Sequence, residues 1–381
     1  MPGRILILLS GITFVVLLGV GIVVPILPSY ARDMGASATQ VGIMFSSFSL
    51  ARIACNPLVG FLADRSELKR LMLVGLFLYS FIALLYVFAD APSQLITIRL
   101  FQGAASAFIL PMAMSYVALI ARKGEEGLFM GTFNMSLFLG MGAGPLLGGL
   151  ITEHFGTRAS FCSLSLLALI SAVTALMLLP PLRPKPQGRD SGRERGIARF
   201  TPMGGLLLFR TIVALGSGCL MSFLPLLGLA RGISIAQVGF LISVNVFVSG
   251  ILQRWFGTLV SDRNRYFLIV AGSLISALAL TSLPLHHDFL LFLLVSVLMG
   301  LGSAMSLPAA SVMAMEHGRT VGMASAMSVF EASRDVGMVL GPLLAGAVMD
   351  TLSIDMVFYV GGMVSLAGTA VFTVLERKRP S

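Results

Sequence analysis

Residues 330 to 346 read FEASRDVGMVLGPLLAG, an apolar helical run that nevertheless carries Glu331, Arg334 and Asp335. Spacings of three and four put side chains on one helix face, so these three charges are neighbours. An ionised side chain at the centre of a bilayer costs roughly 2.5–3.5 kcal/mol on insertion scales, and such residues mark ion or substrate pathways. Arg334 can pair with either carboxylate, but one cation cannot neutralise two. Burial and the second carboxylate favour a protonated acid, whereas Arg334 favours the ionised form. One of the two carboxylates is therefore expected to exchange a proton as its surroundings alternate between wet and dry.

Other polar residues interrupt apolar runs. Arg52 lies in the middle of the run 40–62 and Arg99 about a turn and a half into the run 94–120, while Arg210 and Arg254 lie nearer the ends of theirs. Each is either a functional group or a snorkelling or inter-helix partner. Arg52, Gln102, Asn134 and Asn245 are candidates for lining a substrate cavity, although the amides could equally bridge helices. No GxxxxGK[ST] phosphate loop and no clustered nucleophile–base pair occurs, so no enzyme activity is expected. Cys55, Cys162 and Cys219 all lie inside apolar runs, which supports neither a disulfide framework nor a metal site. No cofactor is expected.

The elements that must hold these residues are membrane-spanning helices. Hydrophobic residues make up 56% of the 381 and charged residues 11%, against about 25% charged in soluble domains. About 20 mainly apolar residues suffice to span a bilayer. Twelve such runs occur, the first at 5–30, the eleventh at 321–348 and the last at 356–375. The first follows Arg4 as in a signal peptide, but it is longer and no small-residue cleavage site follows, so it reads as an uncleaved span. The net charge of +9 sits in short loops without a basic and aromatic stripe, so no nucleic-acid partner is expected. Loop Lys and Arg crowd one side of the membrane, and only Arg32, Arg158 and Arg231 fall on the other. That asymmetry places both termini and the central segment in the cytoplasm.

The chain also repeats. One constant offset carries Leu27-Pro28 onto Leu224-Pro225, Gln40-Val41-Gly42 onto Gln237-Val238-Gly239, and Gly144-Pro145-Leu146-Leu147 onto Gly341-Pro342-Leu343-Leu344. Matches at fixed offset across six spans imply a duplication. The expected fold is all-α: twelve transmembrane helices in two pseudo-symmetric six-helix bundles, 1–179 and 203–381 with a short cytoplasmic tail. A basic cytoplasmic linker rich in Pro, Gly and Arg, 180–202, joins them. Parallel repeats of this kind are a transporter design, with substrate bound between halves that rock. The charges at Glu331, Arg334 and Asp335 replace Asn134, Leu137 and Phe138 of the first half, so the repeat itself does not require them.

The loop after the second run reads GFLADRSELKR, with Gly60, Asp64 and Arg65, and it is echoed as Gly257, Asp262 and Arg263. Gly60 would allow close helix approach. Asp64 is expected beside the start of the eleventh span near Thr320, where a helix N-terminus attracts a carboxylate and could latch the halves. Gly140 and Gly144 form a small-residue face and Pro145 bends the helix. Gly144 and its counterpart Gly341 are expected where helices of opposite halves meet.

On these motifs the whole chain resembles the major facilitator superfamily, in its twelve-span drug:proton antiporter branch. GFLADR is similar to that family's G-x-L-A-D-R-x-G-R-R loop, with Glu67 and Leu68 departing from it. RLFQG, carrying Arg99, Gln102 and Gly103, resembles the R-x-x-Q-G motif of proton-coupled members. GMGAGPLLGG, Gly140 to Gly149, resembles the G-x-x-x-G-P-x-x-G-G signature of the antiporters. The resemblance implies a proton-coupled secondary transporter that exports small amphiphilic or drug-like molecules by alternating access. It would be a monomer in a bacterial-type cytoplasmic (inner) membrane, driven by the proton gradient. Glu331, Arg334, Asp335 and Arg99 would couple protons, and Gly60, Asp64, Arg65, Gly257, Asp262, Arg263, Gly140, Gly144, Pro145, Gly341 and Pro342 would serve gating. The alternative is a transporter of a small organic anion, drawing on Arg52 and Arg99. More remote is a non-transporting membrane sensor, which would call for a soluble extension that the sequence does not show.

Overall fold

The computed structural model describes residues 2–63, 66–121, 126–183, 203–261, 263–321 and 323–377. Every regular element among them is helical. In the first half these are α1 (Pro2–Val23), α2 (Leu27–Asp33), α3 (Ala38–Ala63), α4 (Leu68–Leu85), α5 (Pro92–Ala107), α6 (Leu110–Ile120), α7 (Glu126–Phe155) and α8 (Thr157–Leu178). In the second half they are α9 (Gly204–Ala230), α10 (Ile235–Leu259), α11 (Arg265–Ser282), α12 (Phe289–Val321), α13 (Met323–Thr351) and α14 (Ile354–Arg377). Twelve helical stretches are long and apolar enough to cross a membrane, as the run lengths require.

Prolines divide the two halves differently. In the first run the chain turns at residues 24–26 and α2 restarts with Pro28 in its first turn. The fourth run likewise breaks after α5, and α6 restarts with Pro111 in its first turn. At that break Phe108 and Ile109 donate tight i−3 hydrogen bonds to Ala105 and Ser106. Proline lacks the N–H for an i−4 bond and its ring clashes with the preceding turn. The matching Pro225 and Pro308 sit inside unbroken α9 and α12.

The chain forms two compact units. Unit 1 comprises Met1–Ala36, Ser47–Gly188 and Ile233–Ser243; unit 2 comprises Ser37–Ser46, Arg189–Gly232 and Val244–Ser381. Helices α3 and α10 are thus each divided, with their first turns counted in the unit opposite their remainder. In unit 1, α1 packs mainly on α7 and α8, and α4 on α8. In unit 2 the equivalent helices repeat this: α9 packs on α13 and α14, and α11 on α14.

The entry to each divided helix is built alike. Gly35 and Gly232 take positive φ (82° and 76°), a conformation cheap only for glycine. A reciprocal cap follows each. Ser37 N donates to Gln40 Oε1 (2.9 Å) and Gln40 N to Ser37 Oγ (3.1 Å). Ser234 N donates to Gln237 Oε1 (3.0 Å) and Gln237 N to Ser234 Oγ (3.3 Å). This capping box satisfies two N-terminal amides that the helix itself cannot. Within unit 2 the α3 entry is also held by Asp350 of α13, whose carboxylate accepts from Ala38 N (2.8 Å) and Thr39 N (2.7 Å). Within unit 1 the matching Glu153 of α7 accepts instead from the Ser234 hydroxyl (3.2 Å).

Candidate functional site

Intramembrane charge gathers at one place in unit 2, where α9 packs on α13. Glu331, Arg334 and Asp335 project from α13 at helical spacing, and Arg210 reaches them from α9. Arg210 Nη2 lies 3.3 Å from Glu331 Oε1, and its guanidinium stacks over the Phe330 ring, 5.0 Å from the centroid. The Arg210 side chain is 12% exposed and that of Glu331 is 57% exposed. Arg334 Nη1 lies 3.6 Å from Asp335 Oδ1, and the Asp335 side chain is 10% exposed. Arg210 feels the charges of Glu331, Arg334 and Asp335 together.

This geometry corrects the sequence reading in one respect. The expected shortage of positive charge is not there, because Arg210, set aside as a residue near a span end, supplies a second cation. Two arginines face two carboxylates, so the cluster is neutral when all four are ionised. The acids differ in access: Glu331 is open and Asp335 is buried. Nothing local to Arg210 in sequence announced its role, since its partner lies on another helix.

In unit 1 the helix pair α1–α7 occupies the equivalent place. Thr13, which matches Arg210, and Ser136 approach with their hydroxyl oxygens 3.5 Å apart. Asn134 at the Glu331 position is exposed. Thr13, Asn134 and Ser136 are all uncharged.

Unit 1 places its buried polar residues elsewhere. Arg99 of α5 is buried; it donates from Nη1 to Gln102 Oε1 (3.0 Å) and lies over the Phe48 ring at 4.8 Å. The Tyr86 hydroxyl donates to the same Gln102 oxygen (2.9 Å). Gln102 is fully buried, so it knits the bundle interior together and lines no open cavity. Asn245 likewise bridges helices, donating from Nδ2 to the Ser296 carbonyl (3.1 Å). Asn245 thus bridges helices, whereas Gln102 accepts at its Oε1 and leaves its buried Nε2 without a partner among the described residues. Arg52 is half-buried on α3 and Asn134 exposed on α7, so these two remain accessible.

The gating residues divide. Asp64, Arg65 and Asp262 lie outside the described residues. Gly60 is exposed, and among the described residues nothing lies within 4 Å of where its Cβ would stand; Gly257 meets only Pro308 Cβ at 3.8 Å. Among the described residues, no helix closely approaches Gly60. α13 begins at Met323, three residues beyond Thr320, close to where the eleventh span was expected to start.

Gly144 and Gly341 also depart from expectation. A Cβ on Gly144 would stand 2.6 Å from Leu18 O and from Gly21 Cα on α1, and Gly341 meets the matching Leu215 on α9. Gly140 similarly meets Phe14 O at 2.6 Å. These glycines seat α7 on α1 and α13 on α9 inside their own bundles. The small-residue spacing identified a contact face but not its partner. A different pair touches the divided helices: Pro145 O blocks any Cβ on Gly239 within unit 1, and Pro342 O blocks any Cβ on Gly42 within unit 2.

The profile of the Major Facilitator Superfamily matches residues 9–213 and 206–381. An uncharacterized MFS-type transporter of Methanocaldococcus jannaschii is 29% identical over 374 residues, covering 96% of each chain. Multidrug resistance protein 1 of Bacillus subtilis is 26% identical over 94% of this chain and 92% of that one. Among solved structures, a bacterial homologue of the human lysosomal transporter Spinster, in an inward-facing and occupied conformation, superimposes with a TM-score of 0.83 at 16% identity. That superposition covers 99% of this chain and 97% of the other.

Proposed function

The chain belongs to the major facilitator superfamily and is therefore a multi-pass membrane transporter, not an enzyme; from that premise we propose that it is a proton-coupled exporter of small amphiphilic molecules. The observation that carries the coupling is the cluster of Arg210, Glu331, Arg334 and Asp335 within helices that span the membrane. An open and a buried carboxylate there face two cations. Protonation of Glu331 releases Arg210, and the freed guanidinium is what couples proton entry to movement of α9 against α13. Glu331 and Asp335 are the proton-exchanging pair, with Arg210 and Arg334 as their counter-ions.

A role toward drug-like compounds is supported by the name of the Bacillus subtilis relative, a multidrug resistance protein, and its match along nearly the whole chain. An organic anion would draw on Arg52 and Arg99, but the Arg99 guanidinium is engaged by Gln102 and the Phe48 face. We place the protein in a bacterial-type cytoplasmic membrane as a monomer, with both termini cytoplasmic.

The test is purified protein in liposomes with an imposed pH gradient, assayed with a panel of cationic amphiphiles and a panel of carboxylates. Accumulation of cationic amphiphiles that collapses with a protonophore supports the proposal. Gradient-independent transport, or transport of carboxylates alone, overturns it.

A further inference from the structure

Inside unit 2, between α9, α11, α12 and α14, lies a cavity of about 30 Å³. Its lining is unusual for a helix bundle in lipid: Ser217 from α9, Ser273 and Ser276 from α11, Ser303 and Ser306 from α12, and Ser365 and Thr369 from α14. Five of these hydroxyls donate to a carbonyl one turn back on their own helix: Ser217 to Val213 (3.1 Å), Ser273 to Ile269 (2.5 Å), Ser306 to Gly302 (2.9 Å), Ser365 to Gly361 (2.8 Å) and Thr369 to Ser365 (2.8 Å). Ser276 donates across to Met299 O on α12 (3.3 Å). With their protons committed, these oxygens still have lone pairs to offer. Ser303 has no hydrogen-bond partner among the described residues, so it is a donor without an acceptor.

Unit 1 fills the matching place with bulk. Tyr79 stands where Ser276 does, Gln102 where Met299 does, Leu76 where Ser273 does and Ile109 where Ser306 does. All four are buried. The remaining positions differ less: Ser303 matches Ser106, and Ser365 and Thr369 match the smaller Ala168 and Ala172.

Empty protein cavities are apolar, whereas a polar cavity holding at least 10–15 Å³ takes up water when it offers two to four polar partners. We infer that this cavity is a hydration site holding one or two ordered water molecules that accept from Ser303 and donate to the surrounding hydroxyl oxygens. No charged side chain lines it, so neutral water suits it better than a bare cation. The site lies beside the charged cluster: Val213 in its wall is three residues from Arg210 on α9, hence on the same helix face. Water there would sit next to the residues proposed to exchange protons.

Met299 in the wall is a built-in reporter. X-ray pulses split bound water into hydroxyl radicals that oxidise adjacent methionine, read as sulfoxide by mass spectrometry. The full chain in lipid nanodiscs should show Met299 oxidised several-fold faster than Met313, which is on the same helix but in a dry apolar cluster. Ser303→Leu, which fills the void, should slow Met299 to the Met313 rate. If that variant does not fold, Ser303→Val removes the donor with less bulk and should slow it in the same direction. Equal rates for Met299 and Met313 in the unaltered protein would overturn the inference, as would a Met299 rate untouched by the folded variants. So would a rate suppressed by sodium but not by choline, since a cation would then occupy the site.

Discussion

At matched points of the two repeats, Thr13 and Asn134 in unit 1 carry no charge, whereas Arg210 and Glu331 in unit 2 form an ion pair. The helices are equivalent and their backbones are brought together by equivalent glycines: Gly140 meets Phe14, and Gly337 meets Thr211, its counterpart. One pair is neutral, the other ionic. At these glycine contacts the backbone frame is kept, while the chemistry set on it diverged. The same holds at the next layer, where unit 1 has Tyr79 and Gln102 and unit 2 has a hydroxyl-lined void. Frame positions should therefore respond alike in both units, and chemistry positions should not.

The largest effect is expected where frame contacts are closest. Gly42→Ala and Gly239→Ala both drive a methyl into a proline carbonyl oxygen. Overpacking of this kind costs about 1–3 kcal/mol. Thermal unfolding in detergent should fall for both, whereas Gly60→Ala and Gly257→Ala, in open surroundings, should stay within about 0.5 kcal/mol. If Gly42→Ala is tolerated and Gly239→Ala is not, the frame is less symmetric than its contacts indicate.

A smaller effect separates the ionic pair from its neutral counterpart. Arg210→Thr and Glu331→Asn rewrite unit 2 with the residues of unit 1. Either single change strands a charge; together they restore neutrality. A double-mutant cycle on unfolding should show a favourable coupling of no more than about 1 kcal/mol, because Glu331 is more than half exposed and screened. Additive single effects would mean that the two side chains are not energetically paired.

The smallest effect belongs to the caps. Gln40→Ala and Gln237→Ala each remove one half of a reciprocal cap and should cost about 0.5–1 kcal/mol. The losses should be equal within error in denaturant unfolding, because the two caps share one geometry.

How far the sequence disclosed this arrangement follows the same division. Twelve apolar runs and a constant offset were enough for the fold, since bilayer thickness and duplication leave plain periodic marks. Gln40-Val41-Gly42 and Gln237-Val238-Gly239 stood out as matches, and the structure explains them as a cap followed by a close-contact glycine. The proline breaks in the first half were not legible, because Pro111 and Pro308 are identical in sequence yet only the former interrupts its helix. The charged triplet on α13 was visible through its spacing. Arg210 was not, because an ion pair between helices leaves no local pattern. A comparison of the halves could have found it: Arg210 replaces Thr13 and Glu331 replaces Asn134, on two helices that must pack. The void was likewise hidden, since its hydroxyls are scattered singly over four helices and Ser303 looks like any other helix serine.

The central claim is that the unit 2 cluster couples transport to protons while its unit 1 counterpart does not. The direct measurement compares two activities of reconstituted protein: substrate exchange at equal pH, and accumulation driven by a pH gradient. Glu331→Gln and Asp335→Asn should keep exchange and lose gradient-driven accumulation, while Thr13→Ala and Ser136→Ala should keep both. Accumulation at unaltered rates in both the Glu331→Gln and Asp335→Asn proteins would contradict the claim.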